Sequence, residues 1–117
     1  MNQIIVTMME VKDLIQIYHW QTKDYARHKA AGELYDKLNI HLDKFVEAYQ
    51  DNKRFNVGRG RIDIKNMSGG EAEKMLEKFA DFLIKISKTL RGNPDLLNIR
   101  DEILADVNQT LYLFSLK

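Results

Sequence analysis

Two histidines and two carboxylates stand close together in the first half of the chain: His19, His28, Asp43 and Glu47. Imidazole and carboxylate groups together can hold a divalent transition metal such as iron. No other stretch of the sequence concentrates ligand-forming side chains in this way. The pattern indicates a metal site, and the alternative is that these residues only decorate the surface of a helix.

The composition is that of an ordinary globular domain. The chain has 117 residues, of which 44% are hydrophobic and 30% charged, which suits a single domain over residues 1–117 with a modest core. A net charge of +1 offers no strong field for nucleic acid or a membrane. The absence of cysteine excludes disulfides, thiolate zinc sites and thiol catalysis. No apolar run is long enough to span a bilayer, so we expect a soluble, cytoplasmic protein.

Apolar periodicity and capping signals predict an all-α fold. Thr7 with Glu10 and Ser68 with Glu71 have the spacing of capping boxes, and Asp24 is a candidate cap for the second helix. The predicted helices cover residues 7–22, 25–50, 69–91 and 94–115.

The connections between the predicted helices differ in length. Residues 51–68 are polar and contain glycine, whereas the first and last connections are short. A long middle connection between two short ones is typical of one class of bundle. We therefore expect a ferritin-like four-helix bundle with a long crossover loop between helices 2 and 3.

The second predicted helix separates its candidate ligands from its apolar side. At about 100° per residue, Asp36, Asp43 and Glu47 fall within about 40° of one another. The apolar stripe centred on Leu38 and Phe45 faces nearly the opposite direction. Since the candidate ligands point away from the bundle core, a neighbouring subunit would have to complete any metal site.

The segment from the first histidine to the last carboxylate also carries a family resemblance. Its residues are His19-Trp20-Gln21, His28, Ile40-His41-Leu42-Asp43 and Glu47. Together they resemble the signature of Dps-type miniferritins, ferritin-like proteins that oxidise iron and protect DNA in starved cells. The resemblance implies a ferroxidase centre across a dimer twofold axis, with His19 and His28 from one subunit and Asp43 and Glu47 from its partner.

Further expectations follow from this resemblance. The cofactor would be iron (Fe2+/Fe3+) or another divalent metal, without an organic cofactor, and copies would associate through a twofold dimer into a hollow shell. The family places a carboxylate one helical turn after the second histidine, where this chain has Gly32. Asp36 and Glu33 are candidate substitutes, although neither has the expected spacing. The short length is similar to that of Dps-like proteins of phages and large DNA viruses, which would place the protein in the host cytoplasm or the virion.

Two alternatives from other classes remain open. The first is a catalytically inactive structural or assembly protein, for example of a virion, whose metal site has decayed, and Gly32 is the feature that most favours it. The second is a nucleic-acid-binding module in which the histidines only pack. It would use the basic loop at residues 53–65, where glycines would let cations approach phosphates closely. The alternative without a function is that this loop is simply a solvated part of the surface. Its candidate contacts are Lys53, Arg54, Arg59 and Arg61.

Three further side chains are interpreted as structural. Tyr18 and Trp20 are expected to pack, and His41 lies at the edge of the apolar stripe, where a structural role is expected.

Overall fold

Four helices form the part of the protein that the computed structural model describes, residues 1–50 and 54–116. They are α1 (Asn2–Gln21), α2 (Tyr25–Gln50), α3 (Gly69–Lys85) and α4 (Pro94–Ser115). No strand occurs in those ranges. The prediction of an all-α protein with four helices is confirmed. Lys53 of the predicted basic loop lies outside the described residues.

The four helices surround one apolar core in the cyclic order α1, α2, α4, α3. α2 makes extensive contacts with α1 and α4, α3 packs on α4, and α1 and α3 are the most loosely packed of these neighbouring pairs. Burying a leucine- or phenylalanine-sized side chain stabilises a fold by roughly 1.5–3 kcal/mol, so a set of such residues holds the bundle together. The largest fully buried side chains are Ile5, Ile15, Leu34, Phe45, Leu76, Leu83, Leu90, Ile103 and Val107.

Helix α1 begins five residues earlier than the pattern at Thr7 predicted, and Met1 occupies its N-cap position. The predicted capping box of Thr7 and Glu10 is wrong, because both residues lie inside the helix. Ile5 is fully buried, so packing of the first turn against the core extends the helix towards the N-terminus. Glu10 instead accepts a hydrogen bond from the backbone N–H of Asp63 at 2.7 Å.

The capping box at the start of α3 is confirmed. The Ser68 hydroxyl accepts the Glu71 N–H at 3.2 Å, and the Glu71 carboxylate accepts the Ser68 N–H at 3.1 Å. The Ser68 backbone N–H, followed by the Ser68 hydroxyl and the Lys65 ammonium, holds the pKa of the Glu71 carboxyl below its usual value. The negative charge also suits the positive end of the helix dipole.

Helix α3 ends at Lys85, although the pattern predicted helix to residue 91. The Arg100 guanidinium donates to the Leu83 carbonyl at 2.7 Å and to the Ser87 hydroxyl at 2.6 Å, which satisfies the end of the helix from α4. Leu90 stays fully buried in the turn that follows. The apolar spacing therefore predicted correctly that Leu90 is buried, but it could not distinguish a turn from a helix.

The described part of the connection between α2 and α3, residues 54–68, contains no helix and lies along α1. Asn2 at the start of α1 donates to the Asn56 carbonyl at 2.8 Å. Gln21 at the end of α1 donates to the Asn66 side chain at 2.6 Å. None of the helices in the described ranges has the length and hydropathy needed to cross a membrane.

Candidate functional site

His19 and His28 form a stacked pair where α1 ends and α2 begins. Their ring centroids lie 4.0 Å apart and the ring planes differ by 15°. The Nδ1 atom of His19 lies 2.6 Å from the carbonyl oxygen of His28, and Nδ1 of His28 lies 2.6 Å from the carbonyl oxygen of His19. The short turn between the helices thus brings together two of the residues that the sequence singled out.

These reciprocal contacts determine which nitrogen of each neutral ring carries the proton. A carbonyl oxygen only accepts hydrogen bonds, so Nδ1 of His19 and of His28 must donate. The lone pair of each neutral ring is then on Nε2, which makes no hydrogen bond to any described residue. Histidines that bind metals commonly hold Nδ1–H on a backbone carbonyl in this way, which orients the ring and its free nitrogen.

Gly32 lies directly against the ring of His19. A β-carbon at position 32 would be 2.7 Å from Cε1 and 2.9 Å from Nδ1 of that ring, closer than real side chains approach. A carboxylate at position 32 would therefore displace the imidazole. Gly32 stands where the Dps pattern has a carboxylate, and the close packing of the His19 ring explains why a glycine is needed there.

The three candidate carboxylates lie on the outward side of α2. Asp36, Asp43 and Glu47 are all exposed, in agreement with the direction expected from helical spacing. Asp43 lines a shallow depression of about 320 Å³ between α1 and α2, together with Met9 and Phe55. Across the described ranges, no three histidine or carboxylate side chains come close enough to hold one metal ion together. Within the described residues, one copy of the chain thus brings the two histidines together but does not place a candidate carboxylate beside them.

Arg27, next to His28, joins all four helices at this end of the bundle. Its guanidinium donates to the Tyr18 hydroxyl at 3.1 Å, to the Gly69 carbonyl at 3.3 Å and to the Phe114 carbonyl at 3.0 Å, and it pairs with the Glu73 carboxylate. The guanidinium carbon also lies 4.7 Å from the centre of the Phe114 ring. Arg27 therefore positions the helix ends that carry the histidine pair.

The charge on Arg27 is stabilised in this position. Burial acts to lower the pKa of its guanidinium, but the hydrogen bonds to Tyr18 and Glu73 outweigh burial and leave that pKa raised. Gly69 makes room for the group, since a β-carbon there would lie 3.1 Å from Nη1 of Arg27. Arg27 was not among the site residues predicted from the sequence. The available signal was its position seven residues before Leu34, on the core-facing side of α2.

His41 is engaged elsewhere, between α2 and α4. Its Nε2 lies 3.1 Å from the Glu102 carboxylate, and its Nδ1 lies 3.4 Å from the Asp106 carboxylate. The Lys37 ammonium is 3.9 Å from the other oxygen of Asp106. Because both ring nitrogens face carboxylates, His41 contributes to helix packing and does not point a free nitrogen towards solvent.

The two aromatic residues beside His19 have different environments. Tyr18 is buried and meets the Phe114 ring edge-on, with 5.7 Å between centroids, as expected of a packing residue. Trp20 is 66% exposed, so its prediction as a packing residue is wrong. Trp20 follows the buried Tyr18 by two residues, which places it on the solvent side of α1.

The basic loop residues that the structure describes are exposed. Arg54, Arg59 and Arg61 lie in the non-helical segment after α2, and none of them forms an ion pair with another described residue. Gly58 has φ of 65°, a left-handed conformation that favours glycine and turns the backbone there. Three arginines on one turn-containing segment are available to an anionic partner.

Comparison with known proteins places the chain in a family. Residues 19–114 match the model of the "Family of unknown function (DUF5856)". The match covers most of the chain, so this four-helix protein belongs to that family. It begins at His19 and includes α2, α3 and nearly all of α4. No curated protein and no solved structure matches the chain.

Proposed function

We propose that this protein is a Dps-like ferritin that binds and oxidises Fe(II) at a site between two subunits, for storage or detoxification of iron and for protection of DNA. The observation that carries the proposal is the histidine pair. His19 and His28 each donate Nδ1–H to the backbone, and this leaves two oriented Nε2 lone pairs beside the turn.

The path of the described connection along α1 supports the same proposal. Residues 54–68 follow α1 from Asn2 to Gln21, as a long crossover between the second and third helices of such a bundle would. The short α1–α2 turn and the compact turn before Pro94 are consistent with that topology.

The distance along α2 supports a site that is shared between two subunits. His28 and Asp43 are 15 positions apart on α2, which at 1.5 Å per residue is about 22 Å. A twofold axis that crosses two antiparallel α2 helices near Asp36 would bring His28 of one copy beside Asp43 of the other. Ile40, which is exposed on the same outward side, would be covered in such a pair.

The donor set suits Fe(II) as the substrate. Imidazole nitrogens with carboxylate oxygens bind first-row divalent metals, and the carboxylates of Asp43 and Glu47 would stabilise the ferric product. His19 and His28 would complete the coordination and leave positions open for oxygen or peroxide. Asp36 lies on the same outward side of α2 and would add a further carboxylate to the interface.

The proposal is tested by Fe(II) binding and oxidation with the purified apo-protein, while the mass of the particle is recorded. The test variant is His28→Ala with Asp43→Ala. Its matched control is His41→Gln with Asp81→Asn, which also removes one imidazole and one carboxylate but leaves the proposed site intact. We expect saturable Fe(II) binding and rapid oxidation by wild type and control, and loss of both in the test variant.

A catalytically inactive structural or assembly protein is the second candidate. The observation that favours it is that His19 and His28 already join α1 to α2 through hydrogen bonds that need no metal. If wild type forms dimers or shells but binds no more Fe(II) than the test variant, the ferroxidase proposal is wrong and the assembly role remains.

A nucleic-acid-binding module is the third candidate. The exposed Arg54, Arg59 and Arg61 favour it, and many copies in one shell would multiply weak phosphate contacts. Retention of DNA by a particle that does not bind iron would support this candidate over the other two.

A further inference from the structure

A groove separates α1 from α3, the most loosely packed pair of neighbouring helices in the bundle. Its volume is about 620 Å³, and it is open to solvent along one side. Volumes of about 300–1,000 Å³ are typical of sites that bind small molecules. The groove lies on a different side of the bundle from the outward surface of α2, so nothing that binds in it would need the proposed metal site.

The floor of the groove is apolar and comes from both helices. Val11 and Leu14 of α1 face Phe79 and Phe82 of α3 across it, and Met75 lies beside them. Phe79 and Phe82 stack at 6.2 Å between ring centroids with nearly parallel planes. Such a floor favours an extended hydrocarbon, since each methylene that it covers is removed from water.

The charged groups on the rim are distributed unevenly. Glu10 already accepts the Asp63 N–H, and Glu71 is held by Ser68 and by the Lys65 ammonium at 3.8 Å. The α3 side of the rim carries Lys74 and Lys78, one helical turn apart, and neither forms an ion pair within the described ranges. The Asp63 carboxylate lies on the opposite side, with the α2–α3 connection. The α3 side of the groove is therefore a cationic edge above an apolar floor.

We propose that this groove binds a single-chain anionic amphiphile, with the tail on the apolar floor and the head group between Lys74 and Lys78. Two ammonium groups one turn apart can contact one anionic head together. Neither Glu10 nor Glu71 pairs with Lys74 or Lys78. The anionic head group is therefore the counter-ion of these two lysines. A carboxylate and a phosphate head share this chemistry.

Calorimetric titration with octanoate, decanoate and dodecanoate tests the proposal on the full chain. We expect saturable binding of one ligand per chain, with affinity rising roughly fourfold for each methylene that the floor covers. Octyl glucoside, which has the tail without the charge, should bind at least fivefold more weakly than octanoate. Decyl phosphate, compared with decanoate, distinguishes a lipid phosphate from a free carboxylate as the source of the head group.

Two variant pairs separate specific binding from general attraction. Lys74→Gln with Lys78→Gln should weaken decanoate binding at least fivefold, whereas Lys44→Gln with Lys85→Gln removes the same charge elsewhere and should leave it unchanged. Met75→Trp, which fills part of the groove, should abolish the gain from chain length. Equal binding by the two lysine variants, or no saturable binding by wild type at any chain length, would overturn the proposal.

Discussion

The ring of His19 fills the space that any side chain at position 32 would need, so His19 and Gly32 are complementary neighbours across the α1–α2 turn. The closest approach would be 2.7 Å, from a β-carbon to Cε1 of the ring. His19 cannot swing aside without losing its contact with His28, at 2.6 Å from Nδ1 to the carbonyl. The glycine is thus a condition for the histidine pair.

Gly32→Ala should destabilise the protein although alanine favours helix. The helix-propensity gain is about 1 kcal/mol, and displacement of a packed ring costs typically 1–3 kcal/mol. In a His19→Ala background the clash is absent, so the same substitution should stabilise by about 1 kcal/mol. Urea unfolding of the four proteins in this double-mutant cycle measures the coupling. A gain in stability from Gly32→Ala in the presence of His19 would contradict this account.

Arg27→Ala should lower the free energy of unfolding by about 2–4 kcal/mol, because it leaves the Phe114 carbonyl and the Tyr18 hydroxyl without their charged donor. Arg27→Lys should recover less than half of the loss, since an ammonium group cannot reproduce the planar set of donors. Denaturant unfolding measures both. Arg59→Ala, at an exposed loop position, is the control and should change stability by less than about 0.5 kcal/mol.

The charged capping box at Glu71 predicts a pH dependence. The folded-state pKa of Glu71 is lowered, so its ionised form stabilises the fold above the ordinary carboxyl pKa of about 4.3. This contribution is lost as the pH falls through the lowered folded-state pKa. Glu71→Gln keeps the capping geometry but not the charge. The stability difference between wild type and Glu71→Gln should therefore be largest near neutral pH and vanish in acid, as measured by unfolding at a series of pH values.

Mixed subunits test whether the proposed iron site is shared. One parent lacks His19 and His28, the other lacks Asp43 and Glu47, and neither should bind Fe(II) alone. Random exchange makes half of the dimers mixed, and each mixed dimer has one complete site of two, so about a quarter of the wild-type capacity should return. Capacity that stays at zero after confirmed exchange, or a parent that binds by itself, would exclude the shared site.

Replacement of Arg54, Arg59 and Arg61 by glutamine should weaken retention of DNA at low salt. Each lost phosphate contact should reduce the slope of log K against log salt concentration by about 0.9. Lys23→Gln, Lys44→Gln and Lys85→Gln together remove the same charge from scattered exposed positions and serve as the control. An equal loss in both triple variants would indicate attraction by overall charge without a role for the loop.

The accuracy of the sequence predictions differs between elements for physical reasons. The start of α2 at Tyr25 was predicted correctly because a local signal marks it. Asp24 accepts the Arg27 N–H at 3.3 Å, and a long apolar stripe follows. The start of α1 and the end of α3 were predicted incorrectly because tertiary packing, which local sequence signals do not show, determines both. Ile5 is buried against the core, and Arg100 of α4 donates to the Leu83 carbonyl near the end of α3.

The residues of the candidate site could be predicted from the sequence, but the arrangement of the two histidine rings could not. Residue types and spacing identified His19 and His28 and the outward direction of Asp43. The stacking of the rings depends on two backbone carbonyls and on the space at Gly32, which come together only when the α1–α2 turn forms. No local pattern encodes those acceptors.

The contact between Arg27 and the Phe114 carbonyl also has a consequence for the order of assembly. The two residues are 87 positions apart in the chain. Contacts of such long sequence separation form slowly, because the entropy cost of closing the loop comes before the contact is gained. On the ribosome, Arg27 can meet Tyr18, Gly69 and Glu73 before Phe114, which exists only once α4 has been synthesised almost to its last turn. Docking of α4 is thus the step that completes the hydrogen bonds of Arg27, beside the histidine pair.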